Sequence, residues 1–140
     1  MSRSNYDDDI DRWQLIMWRG AVASAIRGAR GQALLREMRD ALEAMPVKVL
    51  IANELDGDGG YCALGVVGTK RGIDMTEFDP EDTKSVAKAL NIADALAREV
   101  VYINDEAGWG TRGTDADRWD HVHSWVCEKI RPDENKGESA

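Results

Sequence analysis

Cysteine is scarce in this chain of 140 residues. Only Cys62 and Cys127 occur, far apart and without a CxxC spacing, which excludes a disulfide scaffold and a zinc ribbon. Phenylalanine appears once, at Phe78, and histidine twice. Long apolar runs are missing as well. Nothing approaches the roughly 20 consecutive apolar residues of a membrane-spanning helix, and the opening MSRSNYDDDIDRW has no apolar signal-peptide core. These absences predict a cytoplasmic protein without membrane attachment, its two thiols reduced and buried. Positive charge is the last shortage. Against 26 acidic residues stand 18 lysines and arginines, a net charge of −8. That balance opposes nucleic-acid binding, in which basic residues displace counterions from phosphates.

What the chain does have is tryptophan. Trp13, Trp18, Trp109, Trp119 and Trp125 are each large enough to anchor a helix contact, and each brings an indole N–H that wants an acceptor. The length suits one core. The apolar periodicities predict a mainly α fold, a compact single-domain helical bundle of about five to six helices, with room for one short β-hairpin near residues 47–64. The domain is expected over residues 7–131, between a flexible N-terminus (1–6) and a disordered tail (132–140).

Along the chain, Ser4 or Asn5 is placed to cap a first helix whose opening turn carries Asp7, Asp8, Asp9 and Asp11, acids that the helix dipole favours there. Two apolar stripes follow, Ile10/Trp13/Met17/Ala21/Ser24 and Leu15/Trp18/Val22/Ile26. A helix apolar on two sides is either central to the core or shared with a second copy, and a homodimer through residues 10–26 is the second expectation. RGARG (27–31) breaks this helix, and another runs from about Gly31 to Met45 before Pro46. VKVLIA (47–52) has the β-branched composition of a short strand. In NELDGDGGYCALG (53–65), Glu54, Asp56, Asp58 and Gly59 match the start of a calcium loop, but Gly65 stands where the bidentate Glu is required. The stretch reads as an Asp-Gly turn. CALGVVGTKRG (62–72) is open between strand and close-packed helix. Asp79 with Pro80 reads as a helix start, and two helical pieces meet near Asn91; Thr114 caps a last helix with Trp119, Val122, Trp125, Val126 and Ile130 inward.

The sequence holds no GxSxG, no HExxH and no cysteine with a histidine partner in a loop; no catalytic residue, metal ligand or cofactor is assigned, and the chain is read as a non-enzyme. GWGTRG (108–113) matches GxGxxG formally, but acids intervene after the preceding apolar run and no second strand follows. SVAKALNIADALAREVV has a helix-turn-helix outline whose recognition helix carries only Arg98 against several acids, the less favoured alternative of a DNA-binding regulator. His123 and Cys127 share a helix face near His121, the basis of a further alternative, a small metal-dependent enzyme. Charge is uneven: residues 19–39 hold Arg19, Arg27, Arg30, Arg36 and Arg39 against Glu37 alone, a local +4 that leaves −12 on the rest of a net −8 chain. Arg19, Arg27 and Arg30, the acids Asp56, Asp58, Asp105 and Glu106, and Trp109 are the candidate partner contacts.

The segments YCALG, YINDEAGWGTRGTDADRW and HSWV resemble a group of phage, prophage and bacterial proteins of unknown function in which a CALG-like segment precedes an ND pair and a Trp-bearing terminal helix. The resemblance implies a helical fold, including helix for residues 62–72, and a phage setting; it carries no catalytic residue. Together with the acidic charge it gives the expected function: a non-enzymatic acidic protein-binding module, a phage accessory factor acting on a host protein or complex, such as an anti-CRISPR-type inhibitor of a defence complex.

Overall fold

The computed structural model describes residues 12–57, 60–106 and 114–132. In order the elements are α1 (Arg12–Arg27), α2 (Ala29–Glu43), β1 (Asp56–Gly57), β2 (Gly60–Tyr61), α3 (Ala63–Lys70), a short 3₁₀ turn (Met75–Glu77), α4 (Thr83–Leu90), α5 (Asp94–Asp105) and α6 (Asp115–Lys129). The fold is a helical bundle with one small hairpin. The expected flexible N-terminus with its caps at Ser4 or Asn5, the Asp7–Asp11 turn, Asp58, Trp109 with GWGTRG, and residues 133–140 of the tail lie outside the described residues.

α5 is the axis of the bundle. It touches α1, α3, α4 and α6, and Leu96, Ala97, Glu99, Val100, Val101, Ile103 and Asn104 are all buried along it. α2 lies across α3 and α6, burying Leu34, Leu35, Met38, Ala41 and Leu42 on the face its periodicity predicts. α6 starts with a capping box, the Thr114 hydroxyl accepting from Asp117 N–H while the Asp117 carboxylate accepts from Thr114 N–H. Its Trp119, Val122, Trp125 and Val126 are buried.

Several expectations change. Gly28 alone breaks the first two helices, serving as N-cap of α2, and Gly31 is inside α2. A Cβ on Gly31 would come within 1.9 Å of the Ala25 carbonyl oxygen, so this glycine lets α1 and α2 cross closely. Residues 47–52 form no strand; Leu50 N–H donates to Asp115 O, at the start of α6, and Ile51 N–H to Tyr61 O, so the segment is an extended tie. The hairpin lies within the expected stretch 47–64, pairing Asp56 with Tyr61 and Gly57 with Gly60. Residues 62–72 contain the helix α3, and Gly65 sits so close to Leu55 that a Cβ would meet its carbonyl oxygen at 1.8 Å. Asp79 and Pro80 precede the helix they were expected to open: Asp82 is the cap of α4, its side chain accepting from Ser85 N–H, while Asp79 accepts from Glu81 N–H in a local turn. Asn91 ends α4 in the left-handed region at φ 59°, where asparagine is tolerated.

A polar clasp closes the bundle's centre. Asn104, fully buried, accepts from Ala63 N–H at 3.1 Å and donates through Nδ2 to Ile51 O at 2.9 Å and to Asp105 Oδ1 at 2.8 Å. Asp105 Oδ1 in turn accepts from Asn53 N–H. One asparagine thus satisfies the first backbone donor of α3 and fixes the loop before the hairpin.

Candidate functional site

The most unusual surface belongs to α1. Its first turn and a half, Arg12–Met17, is exposed throughout, leaving Trp13 69%, Ile16 53% and Met17 58% accessible. These three occupy i, i+3 and i+4 and so form one face. The exposed small residues Gly20, Ala21 and Ser24 continue it, and a Cβ on Gly20 would meet nothing within 4 Å. The opposite side faces inward: Val22 is buried, Ile26 packs on the core, and the Arg98 guanidinium stacks 4.0 Å over the Trp18 ring. The two stripes read from the sequence are therefore one inner and one outer face. Leu15, assigned to the inner stripe, is exposed as well.

The arginine strip does not gather into one basic face. Arg19 makes a paired hydrogen bond to Glu99, at 3.2 and 2.9 Å, tying α1 to α5. Arg30 Nη1 donates to Asn91 Oδ1, Arg36 to Arg131 O and Arg39 to Asp40. Glu37, the strip's only acid, pairs instead with Arg71 at 2.6 and 2.7 Å; that hydrogen bond holds the Arg71 guanidinium above its ordinary pKa. Arg27 is exposed at the end of α1. Of the acidic candidates, Asp56 lies half-buried in β1, Glu106 is exposed just after α5, and Asp105 belongs to the clasp.

The helix-turn-helix outline corresponds to α4 and α5, but α5 is enclosed by four other helices and has little side-chain surface to lay in a groove. On α6, burial pushes the His121 imidazole below its ordinary pKa. His123 and Cys127 do meet: Cys127 Sγ is 3.6 Å from His123 Nε2. Cys127 is exposed, against the expectation of two buried thiols, while Cys62 is buried. The residue that joins them is Glu43, whose Oε2 lies 2.9 Å from the same nitrogen. Sequence reasoning missed it because 80 positions separate it from His123 and it reads as an ordinary acid at a helix end. Trp119 stacks on His123, ring centroids 4.6 Å apart and planes 11° from parallel.

No protein-family model, curated protein or solved structure matches this chain. Among the described residues, no helix is long and apolar enough to cross a membrane.

Proposed function

We propose that the chain is an acidic, non-enzymatic protein-binding module that presents the outer face of α1 to a host protein, working in the host cytoplasm as a phage accessory factor, for instance as an inhibitor of a defence complex. The observation that carries the reading is the exposed Trp13/Ile16/Met17 face. A soluble domain seldom leaves a tryptophan, an isoleucine and a methionine adjacent and open to water without a use for them. Tryptophan is also the residue most enriched where binding energy concentrates. The net charge of −8 favours a partner whose apolar groove has a basic rim, and the resemblance to phage-encoded chains favours a host protein.

A second reading rests on the small residues Gly20, Ala21 and Ser24, which let another helix approach closely: two copies pair through α1. Light scattering at high protein concentration separates the two, since a monomeric mass removes the dimer. The test of the main reading is an affinity capture from bacterial host lysate, at low and moderate salt, with the natural chain and with Trp13→Ser/Met17→Ser. A stoichiometric protein recovered only by the natural chain supports the module. Equal recovery by both would move the contact off α1, and recovery of nothing or of nucleic acid alone would refute the reading.

A further inference from the structure

Three side chains of different chemistry converge where the end of α2 meets the second half of α6. Glu43 is the last residue of α2, and His123 and Cys127 stand one turn apart on α6, a spacing that aims both at one spot. One donor atom from each lies within 4.8 Å of the other two, and Nε2 is the atom that both Glu43 Oε2 and Cys127 Sγ approach. We infer that Glu43, His123 and Cys127 form a binding site for a zinc-class divalent cation, with a fourth position open to water.

The spacing fits such an ion. A tetrahedral zinc site with ordinary bond lengths holds its sulfur and nitrogen donors about 3.6 Å apart and its nitrogen and carboxylate oxygen about 3.3 Å apart. The first separation is 3.6 Å in the structure, and the second, 2.9 Å, opens slightly as the ion takes the place of the hydrogen bond. The donor set selects the metal. A thiolate with an imidazole disfavours magnesium and calcium, which take oxygen, and suits zinc and its neighbours; thiolate and carboxylate together neutralise the dication. Three protein ligands leave the fourth position to water, whereas closed structural zinc sites carry four protein ligands.

The same atoms argue against a cysteine nucleophile served by a histidine base. In that machinery the thiol and the orienting acid address opposite ring nitrogens. Here Cys127 and Glu43 both address Nε2, as in a chelate. The support is built in: the Trp119 stack fixes the imidazole plane, and the Lys48 ammonium donates to the Glu43 and Met45 carbonyls, holding the end of α2.

The test uses the full chain, kept reduced with a non-chelating phosphine, stripped of metal and titrated with Co²⁺ while absorbance is followed. The expected result is a near-ultraviolet thiolate-to-cobalt band with tetrahedral visible bands, saturating at one equivalent and displaced by Zn²⁺. Cys127→Ser abolishes the near-ultraviolet band, and His123→Ala weakens cobalt binding by at least about tenfold. Cys127 and Glu43 are exposed, so Cys127→Ser and Glu43→Gln leave the helical circular dichroism unchanged, and Glu43→Gln lowers affinity. No near-ultraviolet band in the natural chain at millimolar Co²⁺ would overturn the site. So would a band that survives Cys127→Ser and disappears in Cys62→Ser.

Discussion

Replacing Asn104 with alanine tests the account of the core most directly. The carboxamide accepts from Ala63 N–H and donates to Ile51 O and Asp105 Oδ1. Ala63 has no accessible surface, so water cannot take over its N–H once the acceptor is gone. An orphaned buried donor costs about 1–3 kcal/mol, and the two further bonds, which end on half-buried groups that water can reach, add about 0.5–1 kcal/mol each. The expected loss is about 3 kcal/mol, which lowers the midpoint of thermal unfolding by roughly 6–12 °C for a domain of this size. Urea unfolding followed by tryptophan fluorescence measures the loss, and amide hydrogen exchange at Ala63 locates it, because that N–H should lose protection first. A variant within about 0.5 kcal/mol of the natural chain, or an Ala63 amide that stays protected, would refute the assignment of Asn104 as the clasp between α5, α3 and the loop at Ile51.

Two glycines should respond in opposite directions by the same assay. Gly65→Ala forces a Cβ to within 1.8 Å of the Leu55 carbonyl oxygen and should destabilise by about 2 kcal/mol or more, whereas Gly20→Ala, in open space on α1, should stabilise by about 0.5–1 kcal/mol; the same sign for both would contradict the packing of α3. Arg19→Met leaves the buried Glu99 carboxylate without its paired donors and should cost about 1–3 kcal/mol, so a binding defect without a stability change would show that Arg19 serves a partner instead. The Asp82 carboxylate is held below its ordinary value by hydrogen bonds from Ser85, so the stability it contributes is complete above the unfolded value and fades as pH falls through the folded one. Asp82→Asn keeps a good cap without a titrating group, and its unfolding midpoint should drop less than the natural chain's between pH 7 and pH 3; parallel curves would deny the effect.

Much of this fold was legible because local signals agreed with the final packing. α2 and α6 bury the faces that their periodicity marks, and Thr114 caps where a hydroxyl three residues before an acid is expected to. The failures fall where a long-range partner decides. VKVLIA has strand composition, but its donors at Leu50 and Ile51 are taken by Asp115 O and Tyr61 O, so no ladder forms. Asp79-Pro80 is a sound start signal, overruled because a local turn at Glu81 and a second aspartate at Asp82 postpone the helix. In α1 both stripes are apolar, and only the position of the neighbouring helices decides that Val22 is covered and Trp13 is not. The candidate metal site shows the same limit: His123 and Cys127 declare their pairing by spacing, while Glu43 has no local mark.

CALG, the ND pair and HSWV, singled out in the sequence, take on a definite meaning in this fold. In CALG, Cys62 is buried ahead of α3, Ala63 has no accessible surface, and Gly65 is pressed against the Leu55 carbonyl. In the ND pair, Asn104 holds the clasp and Asp105 accepts from Asn53 N–H. In HSWV, Trp125 and Val126 are core. Cys62, Ala63, Gly65, Asn104, Asp105, Trp125 and Val126 are thus spent on packing or on satisfying backbone groups, and residues of that kind specify a fold without specifying a partner or a reaction. His123 differs from these, since it is partly exposed and its Nε2 is turned to Glu43 and Cys127 while its ring stacks on Trp119. Among the described residues, the exposed chemistry that the fold leaves over includes Trp13, Ile16 and Met17 and also Glu43 and Cys127. A chain with CALG and ND but lacking the acid or the histidine should therefore fold in the same way and bind cobalt more weakly, and one lacking the thiol should show no thiolate-to-cobalt band.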